Sequence, residues 1–271
     1  MTPKIDPNAA EAFREQGFYQ APKLIPDDLL DAAVSHMDDV IAGRYESDPN
    51  VPYHFLRSVD PGPPGNELIK INNAHSIDST LLRLISHPSI GAWASALLGG
   101  AERVQVWHTQ LLFKPNGGSS KGNIGIHQDF NYWQRYFEST DGILTAWMAL
   151  SNVSVESGAM RFVPGSHRWP IIDPGNFSEQ DQEKARAGIK VPKGETWSEY
   201  PAAMPRGAVS FHHPITFHGS GPNTSDQPRR SIALHLCTEK SRVYAENPYV
   251  SAETLKSPEE NPIIKRGDKN V

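Results

Sequence analysis

Gly125-Ile126-His127-Gln128-Asp129-Phe130 is the stretch on which the reading of this chain turns. Taken as a β-strand, it puts residues i and i+2 on one face, so that the His127 imidazole and the Asp129 carboxylate converge. Together they make two-thirds of a facial 2-His-1-carboxylate site of the kind used by non-haem Fe(II) oxygenases. The same pattern occurs in His36-Met37-Asp38, which serves as a control. There Pro26-Asp27-Asp28 opens a helix, with proline at the first turn and carboxylates at the positive dipole end. Leu30, Ala33, Val34, Met37, Val40 and Ile41 give that helix an apolar stripe at helical spacing. Helical residues i and i+2 do not face one another, so His36 and Asp38 share no metal.

The surroundings of His127 have a different character. Residues 104–113, rich in β-branched and aromatic side chains, predict a strand. Residues 125–130, 143–150, 159–163, 196–200, 208–212 and 231–238 follow as further short strands divided by Gly, Pro and Asn turns, and only residues 179–187 read as helix. Upstream, residues 8–16 form a short helix stopped by Gly17, with an extended piece over 18–21. A Pro- and Gly-rich irregular loop occupies 45–66, an alternating strand 68–72, and two short helices 79–86 and 89–98. Helices followed by many short strands point to a mainly β sandwich or jelly roll with helices on one side. The division expected is one domain over 1–271: a helical N-terminal region over residues 1–100, packed on a β core over 101–240, with a C-terminal tail over 241–271.

Composition narrows the function. The chain has 271 residues, a formal net charge of -5 and a sequence pI of about 6.1, with no basic footprint for nucleic acid. Its one cysteine, Cys237, stands in an apolar run and reads as a buried small side chain, so neither a disulfide framework nor a thiolate metal site is expected. No apolar stretch approaches the length of a membrane span, and Met1-Thr2-Pro3-Lys4 opens no signal peptide. The expectation is a cytoplasmic protein acting on a small molecule, with no nucleic-acid or membrane partner; oligomeric state is open.

A third metal ligand must come from the later strands. Pro214-Ile215-Thr216-Phe217-His218-Gly219-Ser220-Gly221 offers His218 at a strand end before a tight glycine turn. Arg229-Arg230-Ser231 then begins another strand, with Arg229 and Ser231 on one face and Arg230 on the other. An inward arginine beside a hydroxyl is a good grip for a carboxylate.

These pieces together resemble the phytanoyl-CoA dioxygenase family of Fe(II)/2-oxoglutarate oxygenases. The resemblance also draws on Phe13-Arg14-Glu15-Gln16-Gly17-Phe18, on Trp147 within residues 145–150, and on residues 158–167 from Gly158 to His167. It implies a double-stranded β-helix (jelly roll, cupin-like) with flanking N-terminal helices. It further implies His127, Asp129 and His218 as iron ligands, Arg229 on the distal carboxylate of 2-oxoglutarate, and Trp147, Ser220, Gln110 and Lys70 along that cosubstrate. The implied reaction consumes O2, converts 2-oxoglutarate to succinate and hydroxylates a substrate C–H bond. Asp129 stands where halogenating relatives have a small residue, which favours hydroxylation. Desaturation, epoxidation or ring formation by the same chemistry is the alternative outcome, and a non-catalytic cupin-like binding protein the alternative class.

Trp107 and His108, on the strand that carries Gln110, and Asn131, Tyr132 and Trp133, after the metal motif, are candidates for a substrate pocket. Arg161 is a candidate partner for a substrate carboxylate or phosphate. His54, His75, His87, His167, His212, His213 and His235 read as structural, and Trp93 as core.

Overall fold

The structure is a computed structural model that describes residues 4–48, 56–172, 180–245, 250, 253–257 and 260–267. The chain opens with α1 (Ala9–Gln16), which ends where Gly17 takes a left-handed conformation at φ 78°. β1 (Phe18–Lys23) and α2 (Asp27–Ile41) follow, then β2 (Leu56–Arg57), β3 (Ile69–Asn72), α3 (Ser79–Ile85) and α4 (Pro88–Leu97). The β-rich region holds β4 (Val104–Lys114), β5 (Ile124–His127), the single helical turn α5 (Phe130–Trp133), β6 (Leu144–Ala149), β7 (Arg161–Phe162) and α6 (Gln182–Ala187). It closes with β8 (Tyr200–Pro201), β9 (Ala208–His212), β10 (His218–Ser220), β11 (Arg229–Thr238) and β12 (Ile263–Lys265).

Two antiparallel sheets face each other in a double-stranded β-helix. The major sheet runs β1-β9-β6-β11-β4-β3-β2, with β12 pairing β4, and the minor sheet runs β5-β10-β7-β8. Strand alternation sorts the side chains. On β11, Ile232, Leu234 and Leu236 join the core beneath the helices, whereas Ala233 packs between the sheets. On β6, Leu144, Ala146 and Met148 go outward and Trp147 and Ala149 inward. The outward residues share a core with Leu30, Ala33, Met37, Val40 and Ile41 of α2, all from the predicted stripe. The major sheet also contributes Gln110, Thr145, His212, Arg229 and His235 to a cavity that His127 and His218 of the minor sheet line as well.

Several boundaries differ from expectation. The segment 125–130 is a strand only as far as His127; Asp129 lies in helical space at φ -55°, ψ -41° and leads into α5. The convergence of His127 and Asp129 is thus made by a strand-to-helix turn rather than by strand alternation. The loop 45–66 contains β2, which pairs with β3; its residues 49–55, and with them His54, lie outside the described residues. The strand expected over 159–163 narrows to β7, and that over 196–200 shifts to β8, because at this end only two residues of each pair with the other (Arg161↔Pro201, Phe162↔Tyr200). The region read as helical, residues 1–100, gives β1, β2 and β3 to the major sheet, and β12 from the tail pairs the start of β4.

Candidate active site

His127 closes β5 and His218 opens β10, and the two are cross-strand partners. The turn after β5 swings the Asp129 carboxylate back toward them. Asp129 Oδ1 lies 3.3 Å from His127 Nε2 and 3.6 Å from His218 Nε2, and all three side chains are buried with their ligand atoms within 4.8 Å of one another. His127 Nδ1 donates to Gly125 O at 2.7 Å and His218 Nδ1 to Thr216 O at 2.9 Å. A carbonyl can only accept, so each ring carries a proton on Nδ1, which leaves Nε2 as the atom turned toward the carboxylate and available to a metal. Burial alone would raise the Asp129 carboxyl, but His218, His127 and His212 outweigh it and hold the group well below the carboxylate range. Two imidazoles and one carboxylate on one side of a cavity suit a divalent first-row cation with open positions.

The other carboxylate oxygen is already engaged. Thr145 Oγ1 donates to Asp129 Oδ2 at 3.0 Å, and His212 Nε2 donates to the same atom at 3.2 Å. Since the threonine proton goes to the carboxylate, the threonine oxygen accepts from His235 Nδ1 at 3.0 Å. Burial lowers His235 to about 4, so this ring is neutral near pH 7. His212 and His235, expected to be purely structural, are instead the support of the carboxylate. The sequence signal that could have marked them is inward strand register: both share the inner face with Thr145.

Behind the triad a narrow cavity is lined by Arg229, Ser220, Trp147, Gln110, Leu112 and Met160, among others. Arg229 is 1% exposed; its guanidinium donates to Gly158 O and lies 5.3 Å from the Trp147 ring centroid. Among the described residues no carboxylate pairs with it, and its Nε has no partner, nor does the nearby buried Ser231 Oγ. A buried cation and hydroxyl left in this condition are costly, and an entering carboxylate would satisfy both. Burial brings Arg229 down only to about 10, so it remains charged. Arg230, on the opposite face as expected, pairs with Asp38 on α2 at 3.0 Å.

A wider cavity of about 450 Å³ opens on the other side of His127 and Asp129. Trp107, His108, Tyr132 and Trp133 line it, as do Gln110, Lys70 and His235. Strict alternation would send Trp107 and His108 to opposite faces. The β4–β11 register instead slips here, with His235 opposite His108 and Leu236 opposite Val106, so Trp107 is the extra residue of a bulge. Lys70 lines this wider cavity and not the narrow one, and Asn131 lines neither. Arg161 is a correction: it is exposed on β7 and pairs with Glu199 at 3.2 Å, away from the wide cavity, because its strand position turns it to the outside of the minor sheet.

The control motif behaves as its helix requires. His36 Nδ1 donates to Asp78 Oδ2 at 2.8 Å while Asp38 pairs with Arg230. His36, Asp78 and Glu46 do form a second cluster of ligand types, but Asp78 also accepts from Leu81 N and Glu46 from Ser79 N, capping α3.

Comparison with known proteins agrees with this geometry. The family model described as phytanoyl-CoA dioxygenase (PhyH) matches residues 13–231. Human peroxisomal phytanoyl-CoA dioxygenase is 25% identical over 236 residues, covering 83% of this chain and 66% of that protein. A probable alpha-ketoglutarate-dependent hypophosphite dioxygenase of Stutzerimonas stutzeri is 29% identical over 169 residues, 62% of this chain and 56% of that protein. The matches thus span about two-thirds or less of these relatives' lengths. Among solved structures, the epimerase SnoN in complex with Fe3+, alpha ketoglutarate and nogalamycin RO aligns with a TM-score of 0.68 at 26% identity, covering 90% of this chain and 86% of that one.

Proposed function

The chain belongs to the phytanoyl-CoA dioxygenase family, and from that premise we propose that it is an Fe(II)- and 2-oxoglutarate-dependent oxygenase that hydroxylates a C–H bond of a small molecule. The observation that carries this reading is the pairing of a facial triad, His127, Asp129 and His218, with a buried arginine lacking a counter-charge in the adjoining cavity. His127 and His218 would hold iron through Nε2 and Asp129 through Oδ1. Arg229, with Ser220 and Ser231, would bind the distal carboxylate of 2-oxoglutarate, over Trp147 and beside Gln110. Lys70, in the wider cavity, would reach the cosubstrate's other end or the substrate.

When bound, iron and 2-oxoglutarate together supply the oxidising power, with O2 as oxidant and succinate and CO2 as products. The protein's role is positioning and exclusion. Arg229 fixes the cosubstrate's orientation by neutralising its far end. Thr145 and His212 engage Oδ2 of Asp129, which would leave Oδ1 to hold the metal. Trp107, Tyr132 and Trp133 form an apolar wall that would seat the substrate's C–H bond and keep water out. A four-ring group of Trp107, Trp133, Phe137 and His235 stiffens that wall.

The test is succinate formation. Purified protein with Fe(II), ascorbate and 2-oxoglutarate is expected to form succinate slowly even without substrate, and Asp129→Ala to abolish it. Iron-loaded protein that neither binds 2-oxoglutarate nor forms succinate would refute the enzyme reading and favour a cupin-like binding protein. Once a substrate is found, product mass separates hydroxylation and epoxidation, which add an oxygen atom, from desaturation and ring closure, which remove two hydrogens; the carbon NMR spectrum of the product then distinguishes a carbinol from an epoxide.

A further inference from the structure

Lys114 has no role in the reading above, yet it is the most deeply buried lysine among the described residues, at 0% exposure. It ends β4 directly opposite Arg229 at the start of β11. Two cations thus share one buried corner, and among the described residues neither is paired with a carboxylate. Lys114 Nζ instead donates to Ser220 Oγ at 2.8 Å and to Gly221 O at 2.5 Å, with Ser220 O at 3.5 Å. The bond to Ser220 has a directional consequence. A serine hydroxyl offers one proton and two lone pairs. With an ammonium on one lone pair, its proton is driven away from Lys114, and Ser220 borders the narrow cavity that Arg229 also lines.

We infer that Lys114 is a positioning residue for the cosubstrate: it turns the Ser220 hydroxyl into a donor aimed at the distal carboxylate of 2-oxoglutarate and adds a second buried positive charge beside Arg229. The inference rests on the proposed function of this site. Two further observations support it. Gly158, whose carbonyl accepts from Arg229, also touches this lysine's stem: a Cβ there would lie 3.1 Å from Lys114 Cδ and 2.8 Å from the Gly221 and Pro222 carbonyl oxygens. The two cations are therefore held by one knot of backbone. Burial, and then the Arg229 charge, push the Lys114 ammonium well below the usual lysine range, the condition that an arriving anion relieves.

The experiment uses Mn(II)-loaded protein without O2 and calorimetric titration with two ligands: 2-oxoglutarate, and 2-oxobutyrate, which has the same 2-oxo acid end but no distal carboxylate. Lys114→Met is expected to weaken 2-oxoglutarate by about tenfold or more, the scale of a charge-assisted hydrogen bond. It should leave 2-oxobutyrate and Mn(II) affinity within about twofold. Ser220→Ala should give a similar selective loss, and the double variant less than the product of the two, since the residues act as a unit. If Lys114→Met fails to fold, Lys114→Gln replaces it, with a smaller loss of the same selectivity expected. Unchanged 2-oxoglutarate affinity, or equal loss for both ligands, would overturn the inference while leaving the functional reading in place. Wild-type protein that binds no 2-oxoglutarate would overturn the functional reading and this inference with it.

Discussion

At the scale of single residues, a carboxylate can chelate a metal through both oxygens, and the partners of Asp129 would disfavour that. Its Oδ2 accepts from Thr145 and His212, which leaves Oδ1 facing the two imidazoles. Thr145→Val is therefore expected to reduce Fe(II) or Mn(II) affinity by about 10–100-fold, the usual effect of losing a partner behind a ligand, with Thr145→Ser restoring it; competition against a fluorescent chelator measures both. That His127, Asp129 and His218 cluster and that Arg229 points inward could be read from the sequence, because metal and carboxylate chemistry admits few residue types, at spacings that a strand and a turn make recognisable. Lys114 could not, and Thr145 and His235 were marked only by inward strand register. A lysine just before Pro115-Asn116-Gly117 reads as a solvated strand end, and only pairing with a strand more than a hundred residues downstream buries it. Arg161 failed for the opposite reason: nothing local distinguishes an edge arginine that faces solvent from one that faces a substrate.

At the scale of elements, the layers make separable predictions. Leu234 lies on the helix-facing side of β11, fully buried, while Ser231 and His235 of the same strand face the site. Leu234→Ala is expected to cost about 2–5 kcal/mol of stability in urea unfolding while leaving the Mn(II) affinity of the folded protein unchanged. Gly219 predicts the reverse coupling. It lies in β10 between His218 and Ser220, and an added Cβ would stand 3.0 Å from Ile124 O and 3.1 Å from Ile126 Cα on β5. Gly219→Ala must push β10 from β5, so a lower melting temperature and a weaker metal site are expected together. The long strands β4, β6 and β11 were legible from β-branched and apolar content. β7 was drawn too long and β8 was shifted because two-residue strands carry no periodic signal, and β2 and β12 were missed because their pairing partners, not their own residues, make them strands.

At the scale of the molecule, buried histidines set the acid limit. Burial lowers His75, His213 and His235 to about 4, against about 6.5 in the unfolded chain. The unfolded state then binds more protons between those values, so stability is fully present above about pH 6.5 and falls as pH drops toward 4. Urea midpoints at pH 7.5, 6 and 5 are expected to decrease in that order, with proton uptake on unfolding; a flat profile over this range would contradict the burial. Helices followed by short strands conveyed the class of fold, but not that the major sheet draws strands from both ends of the chain, since such pairings leave no trace in a single sequence. One pairing of strands distant in sequence also carries the two imidazoles: His127 and His218 face each other across β5 and β10. A cation held between them would be a removable crosslink in the smaller sheet, closing the long stretch of chain that separates the two strands. At a hundred times its dissociation constant, free metal would add about 2.7 kcal/mol to the folded state. Chelated protein is accordingly expected to be cut first between β5 and β10, and, on the proposed function, iron supply would help to set how long each copy of the protein survives proteolysis.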